Sequence, residues 1–361
     1  MLEMKLHWTD SVVCGALLLA ACARPAPPTP LAKEPIPVPG LTREQQQRFE
    51  AGRAVFKRVF SRDTGLGPFF NSTSCAECHE APTVGGRGAS EQGSDEVQTH
   101  ATRFTPPASC DTLTAAGGPV FRRHAVQGDP PAIPADAQIG QRTTPMLFGF
   151  GLIEAIPDAT ILANERKSGG RAHRSSDGRV ARFGRKAAVA TLGEFAIRAF
   201  SVEQGIEIPV ELSATDADLT TNFVQFLAPP QPKDPDKKAK RGAEVFERIG
   251  CAQCHTPKME TGENPVRALH RKPVFLYSDL LLHDMGPALA DTCIGQARPS
   301  EFRTEPLMGL RFRDRFLHDG RALTLESAIL QHGGQGQKAA DAFFRLSDAE
   351  REALLLFLRS L

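Results

Sequence analysis

The strongest chemical signal in the sequence is a Cys-x-x-Cys-His motif that occurs twice, at residues 75–79 and 251–255. Two thiols three positions apart can each form a thioether to one haem vinyl group, and the adjacent histidine then reaches the iron. A thioredoxin-like dithiol or a zinc half-site is the alternative, but four-cysteine zinc needs no histidine after both pairs. The motifs therefore predict two covalently bound haem c groups, held by Cys75, Cys78, His79, Cys251, Cys254 and His255.

The segments around the two motifs repeat in the same order, which indicates duplication of one helical unit. The repeated segments are, in pairs, 52–56 with 242–246, 142–145 with 303–306, and 191–194 with 324–327. Each half closes with a helix signal, and in the second half Ser347 and Glu350 form a capping box. Few segments alternate with period two, so the sequence predicts a mainly α fold.

The N-terminus is typical of an exported lipoprotein. Residues 11–21 are mostly apolar but too few to span a membrane, and they end before Cys22 in Leu-Ala-Ala-Cys. That ending resembles a bacterial lipobox, which implies removal of residues 1–21 as a signal peptide and acylation of Cys22. Residue 23, after Cys22, is alanine rather than aspartate, and this resembles Gram-negative lipoproteins that are sent to the outer membrane. We therefore expect a periplasmic, lipid-anchored protein; the alternative is a plain secretory signal with a chance cysteine.

Two proline-rich stretches divide the rest of the chain. Seven prolines within residues 23–40 predict an extended, semi-rigid tether over 22–45. A second proline cluster predicts a linker over 229–240, between an N-terminal haem domain at 46–228 and a C-terminal haem domain at 241–361. The formal net charge of +1 gives no sign of a nucleic-acid partner, and none is expected.

Several longer segments resemble the bacterial di-haem oxidoreductase (peroxidase) family, which is related to the di-haem cytochrome c peroxidase superfamily. The resemblance covers about residues 46–361 and rests on segments 65–71, 151–157, 281–286 and 316–321. It implies two tandem class-I cytochrome-c-like haem domains, in which one haem passes electrons and the other meets peroxide. The implied oxidant is H2O2, and the implied electron donor is a periplasmic cytochrome or cupredoxin.

The two repeats differ at one position that bears on this division of labour. Thr324 caps a helix that is predicted to run to His332, seven residues after Leu325 and on the same face. The superfamily resemblance places the second axial ligand of the electron-transfer haem there, so a bis-histidine second haem is predicted. Ala199 has the same offset from Leu192 and cannot bind iron, so the first haem should keep an open face.

Other side chains compete for these roles. Met285 and Met308 are rival ligands of the second haem, although methionine is more often core filler. His332 could instead stabilise the C-terminus of its helix. His100 or His124 would close the first haem if either swung in, although each is more simply an ordinary histidine.

Peroxide cleavage needs an acid–base group that moves a proton between the two oxygens. The position of Glu203, after the helix headed by Thr191, resembles that of the family's distal acid. Glu154 is the alternative, and either side chain could instead be a surface or capping carboxylate. The catalytic candidates are therefore Glu203 and Glu154.

Five further residues remain without a fixed role. Cys110 and Cys293 could pair in an oxidising compartment, although their spacing cannot show that they are close. His283 and His318 lie in the family segments and could bind haem propionates or order the domain interface. Loss of the signal peptide removes the only tryptophan, which leaves Tyr277 as the most oxidisable aromatic. No acidic loop matches a calcium motif.

Three functions agree with these features. The first is reduction of H2O2 at the open first haem. The second is oxidation of a protein or small-molecule substrate on the same scaffold, and the third is non-catalytic electron transfer or redox sensing. An open iron distinguishes the two enzymes from the third function.

Overall fold

The structure is a computed structural model that describes residues 34–88, 97–107, 109–207 and 212–361. The predicted signal peptide and Cys22 lie outside these residues. The described residues form ten α-helices and twelve β-strands. No helix among them combines the length and the apolar character needed to cross a membrane.

Helices and short strands alternate along the chain. The helices are α1 (Arg43–Phe56), α2 (Cys75–Cys78), α3 (Phe150–Glu154), α4 (Asp158–Ser168), α5 (Leu192–Glu203), α6 (Ala214–Phe226), α7 (Lys237–Arg248), α8 (Leu325–Leu330), α9 (Gln337–Phe344) and α10 (Asp348–Leu358). The strands are β1 (Phe69–Phe70), β2 (Val97–Thr105), β3 (Ser109–Asp111), β4 (Val120–Phe121), β5 (His124–Ala125), β6 (Gln138–Thr143), β7 (His173–Arg174), β8 (Val180–Ala181), β9 (Met259–Glu260), β10 (Pro273–Val274), β11 (Leu282–Asp284) and β12 (Glu301–Arg303).

The prediction of a mainly α fold is not confirmed. The described residues are 36% helical and 16% strand, so the fold is mixed. Ten of the twelve described strands have only two or three residues. Segments that short cannot show the period-two alternation by which a strand is recognised in a sequence, which is why the strand content was underestimated.

One helix crossing occurs twice, once in each half. In the first half α1 packs on α6, and in the second half α7 packs on α10. A Cβ atom on Gly52 would lie 2.0 Å from the carbonyl oxygen of Leu219, and one on Gly242 would lie 2.0 Å from that of Ala353. Both crossings therefore require glycine, and this agrees with duplication of one unit.

A pair of phenylalanine rings joins each helix crossing to the neighbouring haem motif. The ring centroids of Phe56 and Phe223 are 4.9 Å apart, and Phe56 lies 6.0 Å from the histidine of the first motif. Those of Phe246 and Phe357 are 5.4 Å apart, and Phe246 lies 6.4 Å from the histidine of the second motif. The two copies thus place the same aromatic wall beside each histidine.

The later helices begin where the sequence predicts. Thr191, Thr324 and Ser347 each accept a hydrogen bond from the backbone N–H three residues further on, at the starts of α5, α8 and α10. The capping box predicted at Ser347 is confirmed. Each cap satisfies a backbone donor that the first turn of a helix leaves unpaired.

An antiparallel sheet lies where the two halves meet. Strand β2 pairs with β3, β4 and β6. Its register with β6 places Gln98 opposite Arg142 and His100 opposite Gly140, so these positions share one face. A Cβ atom on Gly140 would lie 2.6 Å from Oδ2 of Asp291. The second half therefore packs directly against this face.

The two halves share one hydrophobic core. Its buried residues include Phe49, Ile153 and Phe223 from the first half and Leu269 and Leu281 from the second. A separate cluster surrounds the α7–α10 crossing. Because apolar side chains from both halves fill the larger cluster, the predicted arrangement as two tandem domains is not confirmed.

The predicted tether and linker lie against the folded body where they are described. The backbone N–H of Val38 donates to the carbonyl of Phe226 at 2.7 Å, and the Val38 side chain is buried. Lys233 donates in the same way to Ser360 at 2.9 Å, and α7 already begins at Lys237. Prolines extend these segments, but burial of their apolar neighbours holds them on the surface of the protein.

Candidate functional site

The turn that carries the first pair of thiols is held by its neighbours. Ser74 caps α2 and accepts a hydrogen bond from the backbone N–H of Glu77 at 3.1 Å. The carboxylate of Glu77 accepts hydrogen bonds from the hydroxyl of Ser72 at 2.8 Å and the backbone N–H of Thr73 at 2.9 Å. The first motif is therefore held in position by Glu77 and by the three residues that precede the motif.

The histidines of both motifs have the same environment. Nδ1 of His79 donates to the carbonyl of Gly86 at 3.0 Å, and Nδ1 of His255 donates to that of Tyr277 at 2.9 Å. Burial lowers the pKa of each ring to about 4. Both rings are thus neutral at pH 7 with a lone pair on Nε2, which is the form that binds a metal.

A cavity of about 100 Å³ adjoins the first motif. It is lined by the thiols and histidine of the motif and by one face of α5, which includes Ala199 and Glu203. Among the described residues on its wall, His79 is the only histidine and there is no methionine. The structure thus brings Glu203 to the first motif and provides a single nitrogen ligand there.

The two histidines that could have closed this site lie elsewhere. His100 donates from Nε2 to Oε1 of Gln98 at 3.2 Å and does not line the cavity. His124 is exposed, and its ring packs on Phe70 with centroids 5.4 Å apart. Neither ring is directed at the first motif.

A larger cavity, of about 400 Å³, adjoins the second motif. All three motif residues line it, together with His332 and Met285. Met308 does not line it. A Cβ atom on Gly149 would lie 2.8 Å from Cε of Met308, so this methionine packs against the first half.

The ring of His332, in the second cavity, is neutral and is held in position by a hydrogen bond. Its Nδ1 donates to the carbonyl of Ala328 at 2.8 Å, and burial lowers its pKa, which leaves a neutral ring with a free Nε2. Helix α8 ends at Leu330, two residues before the predicted end. In a continued helix, the backbone N–H of His332 would donate to the carbonyl of Ala328. The His332 ring donates to this carbonyl instead, which accounts for the earlier end of α8.

Glu203 is held by two amide donors. The sequence predicted that Glu203 follows α5, but it is the last residue of this helix. Its Oε2 accepts from Nδ2 of Asn71 at 2.9 Å, and its Oε1 accepts from Nε2 of Gln98 at 2.8 Å. Burial raises the pKa of its carboxyl group. The carboxyl is therefore oriented in the cavity and takes up a proton more readily than an exposed glutamate.

Glu154 has a different position. Its carboxylate accepts hydrogen bonds from the backbone N–H of Leu192 at 2.7 Å and from Nε2 of Gln225 at 3.3 Å. It lines neither cavity. It stabilises the start of α5, so the structure brings Glu203 and not Glu154 to the first motif.

Sequence reasoning missed Asn71 and Gln98. Asn71 ends the family segment 65–71, so a signal for it existed, although no role was assigned to it. Gln98 lies on β2, 105 positions before Glu203. Only the pairing of β2 within its sheet brings its amide to the cavity, and no local pattern in the sequence predicts that.

His283 and His318 both line the second cavity, and each faces an aspartate. Nε2 of His283 lies 2.8 Å from Oδ2 of Asp279, and Nε2 of His318 lies 3.2 Å from Oδ2 of Asp291. Burial opposes a charge on His283, but Asp279 outweighs it and raises the pKa to about 10. His283 is thus engaged by its aspartate. Burial lowers the pKa of His318, and its Nε2 makes no hydrogen bond within the described residues.

Three residues whose roles the sequence left open have clear positions. Cys110 and Cys293 form a disulfide that joins β3 to the second half. Tyr277 is half-buried beside the second motif, with its ring 6.1 Å from that of Phe246 and 5.9 Å from that of Phe357. Its ring belongs to the aromatic wall there.

Residues 185–361 match the model of a family described as "Di-haem oxidoreductase, putative peroxidase". The match includes the second motif and His332 but not the first motif. Over these residues the chain is thus similar to the di-haem oxidoreductase family, and the resemblance predicted from the motifs within them is confirmed. No curated protein matches the sequence.

Several solved structures are distantly similar. Hydrazine synthase from Kuenenia stuttgartiensis is 16% identical, with 99% of this chain and 100% of that chain covered and a TM-score of 0.43. A MauG-like protein associated with microbial copper homeostasis is 17% identical, with 94% and 93% covered and a TM-score of 0.43. The diheme peroxidase BthA from Burkholderia thailandensis is 14% identical, with 87% and 86% covered and a TM-score of 0.46.

The family implies two haem groups, and the residues present fit two. Each cavity contains two thiols and a neutral histidine with a free Nε2, and the second cavity adds another such histidine. Burial raises the pKa of Cys75 to about 11 and that of Cys251 to about 12.

Proposed function

We propose that this chain is a di-haem c-type cytochrome that reduces H2O2 at its first haem with electrons that enter through its second. The thiols of the two motifs would attach both haems covalently. When bound, each haem supplies an iron that carries one electron and, where one face is open, coordinates a small oxidant. The contrast between Ala199 in the first cavity and His332 in the second carries this proposal.

Glu203 is the group that moves a proton in the first cavity. As a carboxylate it takes a proton from one oxygen of H2O2 and returns it to the departing oxygen, so that two electrons and two protons yield two water molecules. Asn71 and Gln98 hold the two carboxylate oxygens in place at 2.9 Å and 2.8 Å. Their amide groups donate to both oxygens and therefore favour the charged form before the proton arrives.

His255 and His332 serve electron entry in the second cavity. Both rings are held by backbone carbonyls through Nδ1, and both line the second cavity. An iron held by His255 and His332 would gain or lose an electron while both rings stay in place, which suits electron transfer. A small periplasmic cytochrome or cupredoxin would supply the electrons. An acylated Cys22 would keep the protein on the periplasmic side of the outer membrane.

The proposal is tested on the purified holoprotein. After extraction with acid acetone, the chain should keep the colour of both haems. Its ferric spectrum should contain one high-spin and one low-spin haem, and cyanide should bind to one haem per chain. Complete extraction of the haem, or two low-spin haems that ignore cyanide, would contradict the proposal.

A further inference from the structure

Four charged side chains meet on the wall of the second cavity. Glu305 pairs with Arg185 at 2.9 Å, with Arg303 at 2.8 Å and with Arg313 at 2.8 Å. The Arg303 side chain is only 4% exposed, and that of Arg313 10%. Burial opposes the charge on Glu305, but the three guanidinium groups outweigh it and lower the pKa to about 2. These residues are the arginine cluster.

The arginine cluster has more positive charge than Glu305 balances. The other carboxylate that acts on Arg303 is Asp279, which already pairs with His283. The Nε atoms of Arg185 and Arg313 are buried and have no hydrogen-bond acceptor in the described part of the chain. Buried charge without a counter-charge is costly, so this composition indicates an anionic ligand.

We propose that the arginine cluster binds the two propionate carboxylates of the second haem, an inference that rests on the proposed attachment at Cys251 and Cys254. Two propionates supply two negative charges, the number that Glu305 leaves unbalanced. Guanidinium groups bind carboxylates through pairs of parallel hydrogen bonds, which suits this ligand. Of the two propionate partners considered from the sequence, His283 is engaged by Asp279, whereas burial keeps His318 neutral and without a charge to offer a carboxylate.

The arginine cluster also makes the second cavity depend on the first half of the chain. Arg185 follows β8 in the first half, and its guanidinium donates to the carbonyl of Thr143 at 2.9 Å. The backbone N–H of Arg303 donates to the carbonyl of Arg185 at 2.9 Å, which joins the two halves at the site. The propionate site is therefore complete only when the halves are packed together.

Potentiometric titration of the low-spin haem in the holoprotein tests this inference. Arg313→Gln and Arg185→Gln each remove a positive charge, which favours the oxidised haem. In each variant the ratio of oxidised to reduced haem at a fixed potential should rise about tenfold. This corresponds to a fall of about 59 mV in the midpoint potential. Glu305→Gln removes a negative charge and should move the midpoint potential upward. Arg171→Gln, outside the cavity, is the matched control and should leave it unchanged.

The outcomes separate this inference from the proposed function. A wild-type chain without covalent haem overturns the proposed function. Attached haem whose midpoint potential is unchanged in the charge variants overturns the propionate site. If an arginine variant fails to fold, Glu305→Gln alone tests the propionate site. A higher midpoint potential in this variant supports the site, and an unchanged midpoint potential overturns it. Arg185→Lys keeps the charge and should retain most of the wild-type potential.

Discussion

Ala199 and His332 each lie seven residues after the leucine that begins a helix, α5 for Ala199 and α8 for His332. Ala199 lines the cavity of the first motif, and His332 lines that of the second. One copy therefore presents a methyl group where the other presents a ring nitrogen. Under the proposed function, this difference gives the two cavities different chemistry.

Replacement of His332 tests its role as the second axial ligand. In His332→Ala the second haem should change from low spin to high spin, because one nitrogen ligand is lost, and turnover with peroxide should slow strongly. His332→Met should keep the low-spin state but raise the midpoint potential, since a thioether favours reduced iron. Electron paramagnetic resonance of the ferric protein distinguishes these states. A low-spin second haem in His332→Ala would transfer the role to Met285, which lines the same cavity.

Glu203→Gln tests the acid–base group. Glutamine has nearly the same shape but takes no proton, so both haem spectra should stay intact while peroxide cleavage slows by about 10²–10⁴-fold. Rapid mixing with H2O2 measures this rate. Glu154→Gln is the matched control, because Glu154 lines neither cavity and should leave the rate nearly unchanged. Normal cleavage in Glu203→Gln would remove this residue from the mechanism.

The pH dependence of kcat/KM tests the same group independently. The carboxylate of Glu203 is the form that accepts a proton, and its fraction grows as pH rises. Activity should therefore fall as pH drops through the pKa of Glu203, which burial places above the ordinary 4.5. Glu203→Gln should lose this acid limb. An identical acid limb in the variant would assign it to another group.

The haem motifs and the capped helices could be predicted from the sequence because their signals are local. Two thiols and a histidine within five residues define their chemistry without the rest of the chain. Thr191 and Thr324 likewise begin their helices through a bond to a residue three positions away. The contrast between Ala199 and His332 followed from aligning these two local patterns.

The parts that could not be predicted depend on distant residues. Gln98 reaches Glu203 only because β2 pairs with its neighbouring strands, and Cys110 meets Cys293 across 183 positions. The arginine cluster likewise combines Arg185 with residues of the second half. Neither spacing nor composition carries such information, because the contacts are made by tertiary packing.

The disulfide should stabilise the packed halves. It links positions 183 residues apart, and loss of so long a cross-link from the unfolded chain typically costs about 2–5 kcal/mol. The double variant Cys110→Ser, Cys293→Ser should therefore unfold at lower urea concentration than the oxidised wild type. Reduced wild-type protein is the control and should match the variant. Equal stability of all three would show that the cross-link contributes nothing.

Membrane attachment should depend on a single sulfur. Acylation requires the Cys22 thiol, so Cys22→Ser should move the protein from the membrane fraction to the soluble periplasmic fraction. Cys14→Ser, a change within the predicted signal peptide, is the control and should leave the protein with the membrane. Unchanged membrane association in Cys22→Ser would refute the lipobox interpretation. Fractionation followed by haem staining measures both variants.

The central claim is that electrons held at the second haem reduce peroxide at the first. Stopped-flow mixing of the half-reduced protein with H2O2 tests it most directly, because only the low-spin haem then carries an electron. The account predicts that the reduced low-spin spectrum disappears rapidly with one equivalent of H2O2, and more slowly in Glu203→Gln. A low-spin haem that stays reduced while peroxide persists would contradict the account.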